Sequence, residues 1–156
     1  MEIEIYWQKP LSLIDGTDEN RVYTPEDKSP ITDDPGVYVF ARKHGDRIIP
    51  LYIGKATNLA VRVSQQLNNV QLMKGIENSP QGKRLLILGE LQRKPGQNIQ
   101  KVLRIAESAL IEHSLSQGFN ILNKQGKSRP THSVYFTGNR EVKIYSGNEI
   151  KTRAVK

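Results

Sequence analysis

Apolar and polar positions alternate at the start of the chain, with Ile3, Ile5 and Trp7 set against Glu2, Glu4 and Tyr6, and a period of two predicts a short strand. Pro10, Gly16, Pro25, Pro30 and Pro35 follow among many acids, which reads as a loop-rich arm with little regular structure. From Gly36 the pattern changes. Two β-branched and aromatic runs, Val37 to Ala41 and Ile48 to Ile53, flank the turn signal Lys43-His-Gly-Asp and predict an antiparallel hairpin. Gly54 breaks the second strand, Thr57 or Asn58 can cap a helix, and Leu59, Val63 and Leu67 recur at i, i+4 and i+8. That spacing puts Asn58, Arg62 and Gln66 together on a neighbouring polar face. A loop with Gly75, Pro80 and Gly82 leads to a third strand, Arg84 to Leu91, ended by Pro95-Gly96. Ile99, Val102, Leu103, Ala106, Ala109 and Leu110 then mark a longer helix closed by Gly118. Runs at Ser133 to Phe136 and Glu141 to Tyr145 flank Thr137-Gly-Asn-Arg and predict a terminal hairpin, followed by a frayed basic tail, Lys151 to Lys156.

At 156 residues the chain has the size of one domain with a hydrophobic core. No stretch approaches the roughly 18 to 20 apolar residues of a membrane span, and the acidic start lacks the basic flank of a secretory signal. The expectation is a soluble, cytoplasmic protein, with association to the nucleoid left open. There is no cysteine, which excludes disulfides, thiolate zinc sites and cysteine nucleophiles. The net charge of +7 conceals a division. Residues 1–35 hold nine acids and three bases, a net of −6, and the remainder holds 20 bases and seven acids, a net of +13. So basic a body attracts polyanions, phosphates foremost. The acidic arm then either lies across a polyanion-binding groove as a competitor or supplies an edge strand to the domain.

Two tripeptides sit at the ends of the paired strands, Gly36-Val37-Tyr38 and Tyr52-Ile53-Gly54. Either alone is weak, because aromatic residues and glycines are common at strand ends. Their joint order carries more: strand tyrosine, hairpin, Tyr52-Ile53-Gly54-Lys55, an arginine ten residues after Tyr52, a helical glutamate at 107, then an asparagine. This order, from Pro35 to Lys124, resembles the GIY-YIG nucleases, and Tyr52 to Val63 is particularly similar to the nuclease domain of the bacterial excinuclease incision subunit.

The resemblance implies an α/β (α+β) fold, with a small three-stranded antiparallel sheet flanked by helices and three segments: an acidic arm at 1–34, a nuclease core at 35–124 and a basic hairpin and tail at 125–156. It implies a Mg²⁺- or Mn²⁺-dependent endonuclease that hydrolyses DNA and leaves a 5′ phosphate and a 3′ hydroxyl. Tyr38 and Tyr52 match the motif tyrosines, one of which positions or activates the attacking water. Arg62 matches the arginine on the scissile phosphate, Lys55 the lysine after the second motif, Glu107 the ligand of the single metal, and Asn120 the asparagine that closes the core. Asn123 competes for that last role. Lys55, Arg62 and Gln66 would contact the nucleic acid.

Chemistry asks for the same residue types. Phosphodiester hydrolysis needs an activated water and positive charge where the transition-state charge develops. A glutamate supplies a hard oxygen to Mg²⁺, and arginine grips two phosphate oxygens through its planar fork. A phenol is a poor base unless nearby cations lower its pKa, a task for Arg62, Lys55 and the metal. Read singly, the tyrosines are ordinary strand aromatics and Arg62 a solvated charge. Glu107 stands out, since Leu103 and Ile111 lie one turn away on each side and a carboxylate among apolar neighbours needs a partner. Glu112 reads as a surface charge, His44 and His132 as turn residues, and His113 as a core histidine.

Two features depart from the family pattern. The position one turn after the arginine, usually histidine or tyrosine, holds Gln66, which cannot act as acid or base at neutral pH. Thirteen residues separate Tyr38 from Tyr52, a slightly long hairpin. The first departure raises an alternative, a module that binds nucleic acid without cutting it; a subunit acting through a partner protein is another. With no length to spare for a second DNA-binding domain, specificity is expected from the arm, the loop from Asn68 to Gly82, the terminal hairpin, a homo-oligomer or a partner protein.

Overall fold

The computed structural model describes residues 1–123 and 132–152. Its strands are β1 (Glu2–Trp7), β2 (Leu11–Asp15), β3 (Tyr23–Pro25), β4 (Gly36–His44), β5 (Arg47–Ala56), β6 (Lys83–Gln92), β7 (His132–Gly138) and β8 (Glu149–Thr152). Its helices are α1 (Leu59–Leu67), α2 (Val70–Glu77), α3 (Ile99–Ser116) and α4 (Arg140–Ser146), with a 3-10 turn at Thr17–Glu19.

The centre of the sheet is the antiparallel trio β5-β4-β6. Its middle strands are buried without interruption, from Gly36 to Ala41 and from Leu85 to Gly89, because helices cover both faces. On one face Val37, Val39, Ala41, Leu85 and Ile87 pack under α3, with Val102, Leu103, Ala106 and Leu110. On the other, Tyr38, Phe40, Leu86 and Leu88 pack under α1 and α2, with Leu59, Val63, Met73 and Ile76. A β-bulge at Leu51, where the pairing steps from Phe40–Tyr52 to Ala41–Pro50, lets Leu51 and Tyr52 both lean on the second face.

The sheet is larger than the three strands expected: eight strands take part, and the arrangement is mixed. The far edge of β6 is shared by β1 and β2, both antiparallel to it; β3 pairs with β2, and β7 runs parallel to β1 before β8 returns antiparallel. The N-terminal segment is therefore no separate arm. An unpaired edge of β6 would present a row of backbone donors and acceptors, and β1 and β2 satisfy it. Trp7 is 1% exposed, stacks on Phe136 with ring centroids 5.2 Å apart, and donates its indole N–H to Ser146 Oγ at 3.1 Å.

Two further expectations are corrected. The stretch Asn68 to Gly82 is not all loop: Asn69 caps α2 by accepting from Leu72 N, and Leu72, Met73 and Ile76 are its buried side. Gly75 inside so short a helix hid it, since glycine costs about 1 kcal/mol against alanine there. The terminal hairpin exists as β7 and β8, but Glu141 to Tyr145 is helix. Asn139 caps α4 by accepting from Val142 N, and Val142, Tyr145 and Ser146 are buried at i, i+3 and i+4. The alternation Val142, Ile144 fits a strand equally well; Ile144 is 81% exposed. Of the tail expected to fray, Lys151 and Thr152 belong to β8 and the rest lies outside the described residues. Among the described residues no helix is long and apolar enough to cross a membrane.

If β1 is integral to the fold, Trp7→Ala should cost about 3–5 kcal/mol through the lost burial and the cavity left behind. Urea unfolding followed by circular dichroism measures it. A loss below about 1 kcal/mol, within the range of surface changes and minor repacking, would mean that the N-terminal strand is dispensable.

Candidate functional site

The two tripeptides are cross-strand partners. Tyr38 lies opposite Gly54, Phe40 opposite Tyr52 and Gly36 opposite Ala56. A methyl group on Gly54 would overlap the ring and hydroxyl of Tyr38, so the phenol lies directly on the glycine backbone. Gly36 is required likewise, because a methyl there would overlap the carbonyl of Gly89 on β6. Tyr52 stacks on Tyr38 with centroids 6.4 Å apart, and Phe40 meets Tyr38 edge-on at 5.9 Å.

Tyr38 is 1% exposed, and its hydroxyl accepts from Gln66 Nε2 at 2.8 Å. Burial pushes its pKa up, and the neighbouring Tyr52 adds to that; hydrogen bonding from Gln66 and the charge of Arg62 offset only part. The expectation that cations lower the phenol's pKa is thus overturned at Tyr38, where desolvation is the largest influence. Gln66 is corrected too. Instead of sharing the polar face of Arg62 it is 4% exposed, because it follows Leu59 by seven residues, two turns of helix, and so falls on the same buried side. It holds Tyr38 and presents no free face to a nucleic acid.

At the end of β5 the chain turns into α1, whose first N–H groups are already satisfied. Asn58 Oδ1 accepts from Val61 N, and the carbonyls of Asp34 and Thr32 accept from Leu59 N and Ala60 N. Arg62 sits one turn into the helix, exposed, with Nη1 donating to Gln65 Oε1 at 3.2 Å. Lys55 is half-buried on β5. Glu107 reaches the same place from α3. It is half-buried, and burial raises its pKa while Lys55 and Arg62 pull it down. Among the described residues it has no hydrogen bond or ion pair. Tyr38, Tyr52, Lys55, Arg62, Gln66 and Glu107 are therefore brought together from four elements.

Asn120 is not among them: it is exposed beyond the end of α3. Asn123 takes the closing position instead. Its Oδ1 accepts from Ile53 N at 3.3 Å and its Nδ2 donates to Ile53 O, while Leu122 N donates to Leu51 O at 2.7 Å. This short segment covers the outer edge of β5 at the second tripeptide. His113 reads as expected, half-buried with Nε2 3.0 Å from the carbonyl of Tyr145. Glu112 is half-buried and has a partner. His132 begins β7, and its side chain lies outside the description.

Beside Glu107 and Arg62 lies an open groove of about 470 Å³, lined by Lys55 to Asn58, Val61, Arg62 and Gln65 on one side and Gln100, Leu103 and Arg104 on the other. None of these is acidic. The acidic stretch does not overlie it: Asp15, Asp18, Glu19, Glu26 and Asp27 line a different depression. Arg21 pins that segment to the outside of α1, donating to Asn68 Oδ1 at 2.8 Å and to Ser64 Oγ at 3.1 Å. Gln65, Gln100 and Arg104 were not singled out from sequence, although a signal exists: Gln100, Leu103, Arg104 and Glu107 stand at i, i+3, i+4 and i+7, one stripe of a helix.

Among the described residues no group of three or more His, Cys, Asp or Glu side chains could hold a metal ion. A lone half-buried carboxylate with two cations nearby does not make an all-protein cage. It does fit an ion such as Mg²⁺, which keeps several waters and completes its shell with phosphate oxygens. Set against family models, curated proteins and solved structures, the chain gives no match.

The raised pKa of Glu107 has a consequence for stability. With a folded value above the unfolded one, the stabilising contribution is full at low pH and is lost as pH rises through the folded value. Glu107→Gln should therefore raise the melting temperature of the metal-free protein at neutral pH and leave it unchanged below about pH 4, the ordinary carboxylate range. Thermal melts across pH test this. An equal or larger gain in acid would show that ionisation of Glu107 is not the cause.

Proposed function

We propose that this chain is a divalent-metal-dependent endonuclease of the GIY-YIG type that hydrolyses DNA phosphodiester bonds. One observation carries the reading: the tyrosine pair, Arg62, Lys55 and Glu107, spread over seventy residues of sequence, meet at one end of β5 beside a groove with cationic and no acidic lining. Ion pairs that merely stabilise a surface would alternate in sign; this cluster leaves positive charge unneutralised where a phosphate would lie.

In this reading Arg62 binds two oxygens of the scissile phosphate through its guanidinium, and Lys55 adds a second charge to the same group. Both interactions strengthen as negative charge builds up on the phosphate oxygens, which lowers the barrier and not merely the binding energy. Glu107 would hold Mg²⁺ or Mn²⁺, which supplies Lewis-acid polarisation of the phosphate when bound. Tyr38, kept protonated by burial, can orient a water or a phosphate oxygen but is poorly suited to take up a proton. Gln66 fixes the direction of its O–H. Tyr52, half-buried and stacked on Tyr38, is the more accessible phenol. The burial of Tyr38 and Gln66 favours a second reading, a module of the same type that binds DNA without cutting it.

Plasmid nicking with and without Mg²⁺ separates the two. Glu107→Ala should reduce metal-dependent nicking to background while DNA binding persists, and Arg62→Ala should lower kcat by about 10²–10³ with a smaller change in affinity. Near-normal nicking by Glu107→Ala would remove the metal assignment, and no nicking by the wild type under any divalent metal would leave the binding module.

Gln66→His places a titratable ring against the Tyr38 hydroxyl. If proton movement limits the rate, nicking should speed up, within the ceiling of about 10²–10⁴-fold that a placed acid or base contributes, and a pH dependence should appear. An unchanged rate, flat across pH, would show that Gln66 serves only to hold Tyr38.

A further inference from the structure

The groove is built from two matching helical stripes. Asn58, Val61, Arg62 and Gln65 on α1 stand at i, i+3, i+4 and i+7, and Gln100, Leu103, Arg104 and Glu107 on α3 repeat the spacing. Each stripe carries an amide first, then an apolar side chain, then an arginine. Arg62 and Glu107 belong to the reacting site already described. The outer part, Arg104 with Gln100 and Gln65, has no part in it.

We infer that this outer part holds the nucleotide next to the scissile phosphate in a DNA strand, with Arg104 on its phosphate and the amides of Gln100 and Gln65 on its base. This rests on the nuclease reading for the direction of the strand past Arg62. Three observations carry it. Arg104 and Gln100 make no hydrogen bond or ion pair among the described residues, so their donors are open to a ligand. Gln65 spends its carbonyl oxygen on Arg62, which leaves its amide N–H groups as donors into the groove. No carboxylate lines the cavity, so nothing in it repels an anion, and its volume of about 470 Å³ lies within the range of sites for small organic ligands.

The division of labour follows from the side chains. A guanidinium binds the phosphate of any nucleotide equally and carries no sequence information. Side-chain amides pair in bidentate fashion with base edges, adenine above all, and do carry it. With no aromatic side chain in the groove, the base is held by hydrogen bonds and by the exposed side chain of Val61, not by stacking. The cleavage site should therefore show a preference at one neighbouring base.

The test uses the full chain and fluorescein-labelled single-stranded oligonucleotides, oligo-dA and oligo-dT, in anisotropy titrations over a range of salt. Arg104→Ala should weaken both oligonucleotides about equally and reduce the slope of log K against log salt by about 0.7, one phosphate contact on a single strand. Gln100→Ala should leave the slope unchanged and narrow the difference between oligo-dA and oligo-dT. Arg104 and Gln100 are exposed, so neither change removes core packing; a melting temperature like that of the wild type verifies this. In amide-resolved NMR, deoxyadenosine monophosphate should shift signals of Gln65, Gln100 and Arg104, whereas inorganic phosphate should shift those near the cations alone. Wild-type affinity and slope in Arg104→Ala, or shifts confined to other surfaces, would overturn the inference even if the chain cuts DNA. A chain that never cuts but loses affinity on Arg104→Ala would instead overturn the nuclease reading and retain the groove.

Discussion

The ring of Tyr38 lying on the backbone of Gly54 is the contact from which the site is assembled. It requires a glycine on β5, because any β-carbon would occupy the volume of the phenol. It requires register, because a slip of one residue would turn Tyr38 to the face packed by α3. Once the ring is seated, its hydroxyl is within reach of Gln66 on α1, and Tyr52 has a surface to stack against. The backbone of the second tripeptide is then held on both sides, by β4 within the sheet and by Asn123 and Leu122 at its outer edge.

That arrangement places reactive side chains at a boundary between two cores. The sheet separates an apolar layer under α3 from another under α1 and α2, and β5 is the strand at its rim. Just past the end of β5 the separation ends, so a side chain on α3 and one on α1 can face the same space. Glu107 and Arg62 meet there for this reason. The price of half-burying Glu107 is an ionised form disfavoured by desolvation, with Lys55 and Arg62 as partial compensation. A carboxylate held in that state is poised for a cation, and two cations without a bound anion are poised for a phosphate.

The acidic N-terminal segment belongs to the structural side of the molecule. Its apolar positions close the far edge of β6 and its charges face away from the groove. Leu11 and Leu13 join the layer under α1 and α2, whereas Ile3, Ile5 and Trp7 join the layer under α3. One continuous segment thus ties the two layers together, and a parallel pairing with β7 links it to the C-terminal part of the chain.

Local pattern alone determined a good deal. The hairpin of β4 and β5, the third central strand, the cap at Asn58 and the long helix through Glu107 all follow from periodicity and turn chemistry, which depend on neighbours within a few residues. The set of Tyr38, Tyr52, Lys55, Arg62 and Glu107 was legible as well, because its members occupy fixed offsets from those elements. What tertiary structure decided was whatever depends on a partner distant in sequence. Ile3 to Trp7 reads as a strand, but only the open edge of β6 makes it part of the sheet. The alternation at Val142 and Ile144 suits a strand or a helix, and packing of Val142 and Tyr145 against the core selects the helix. Gln66 is polar in sequence and buried in space, since Tyr38 offers it a hydrogen-bond partner from another element. Asn123 displaced Asn120 on the same ground: both are asparagines after a helix, and only one reaches the free backbone of Ile53.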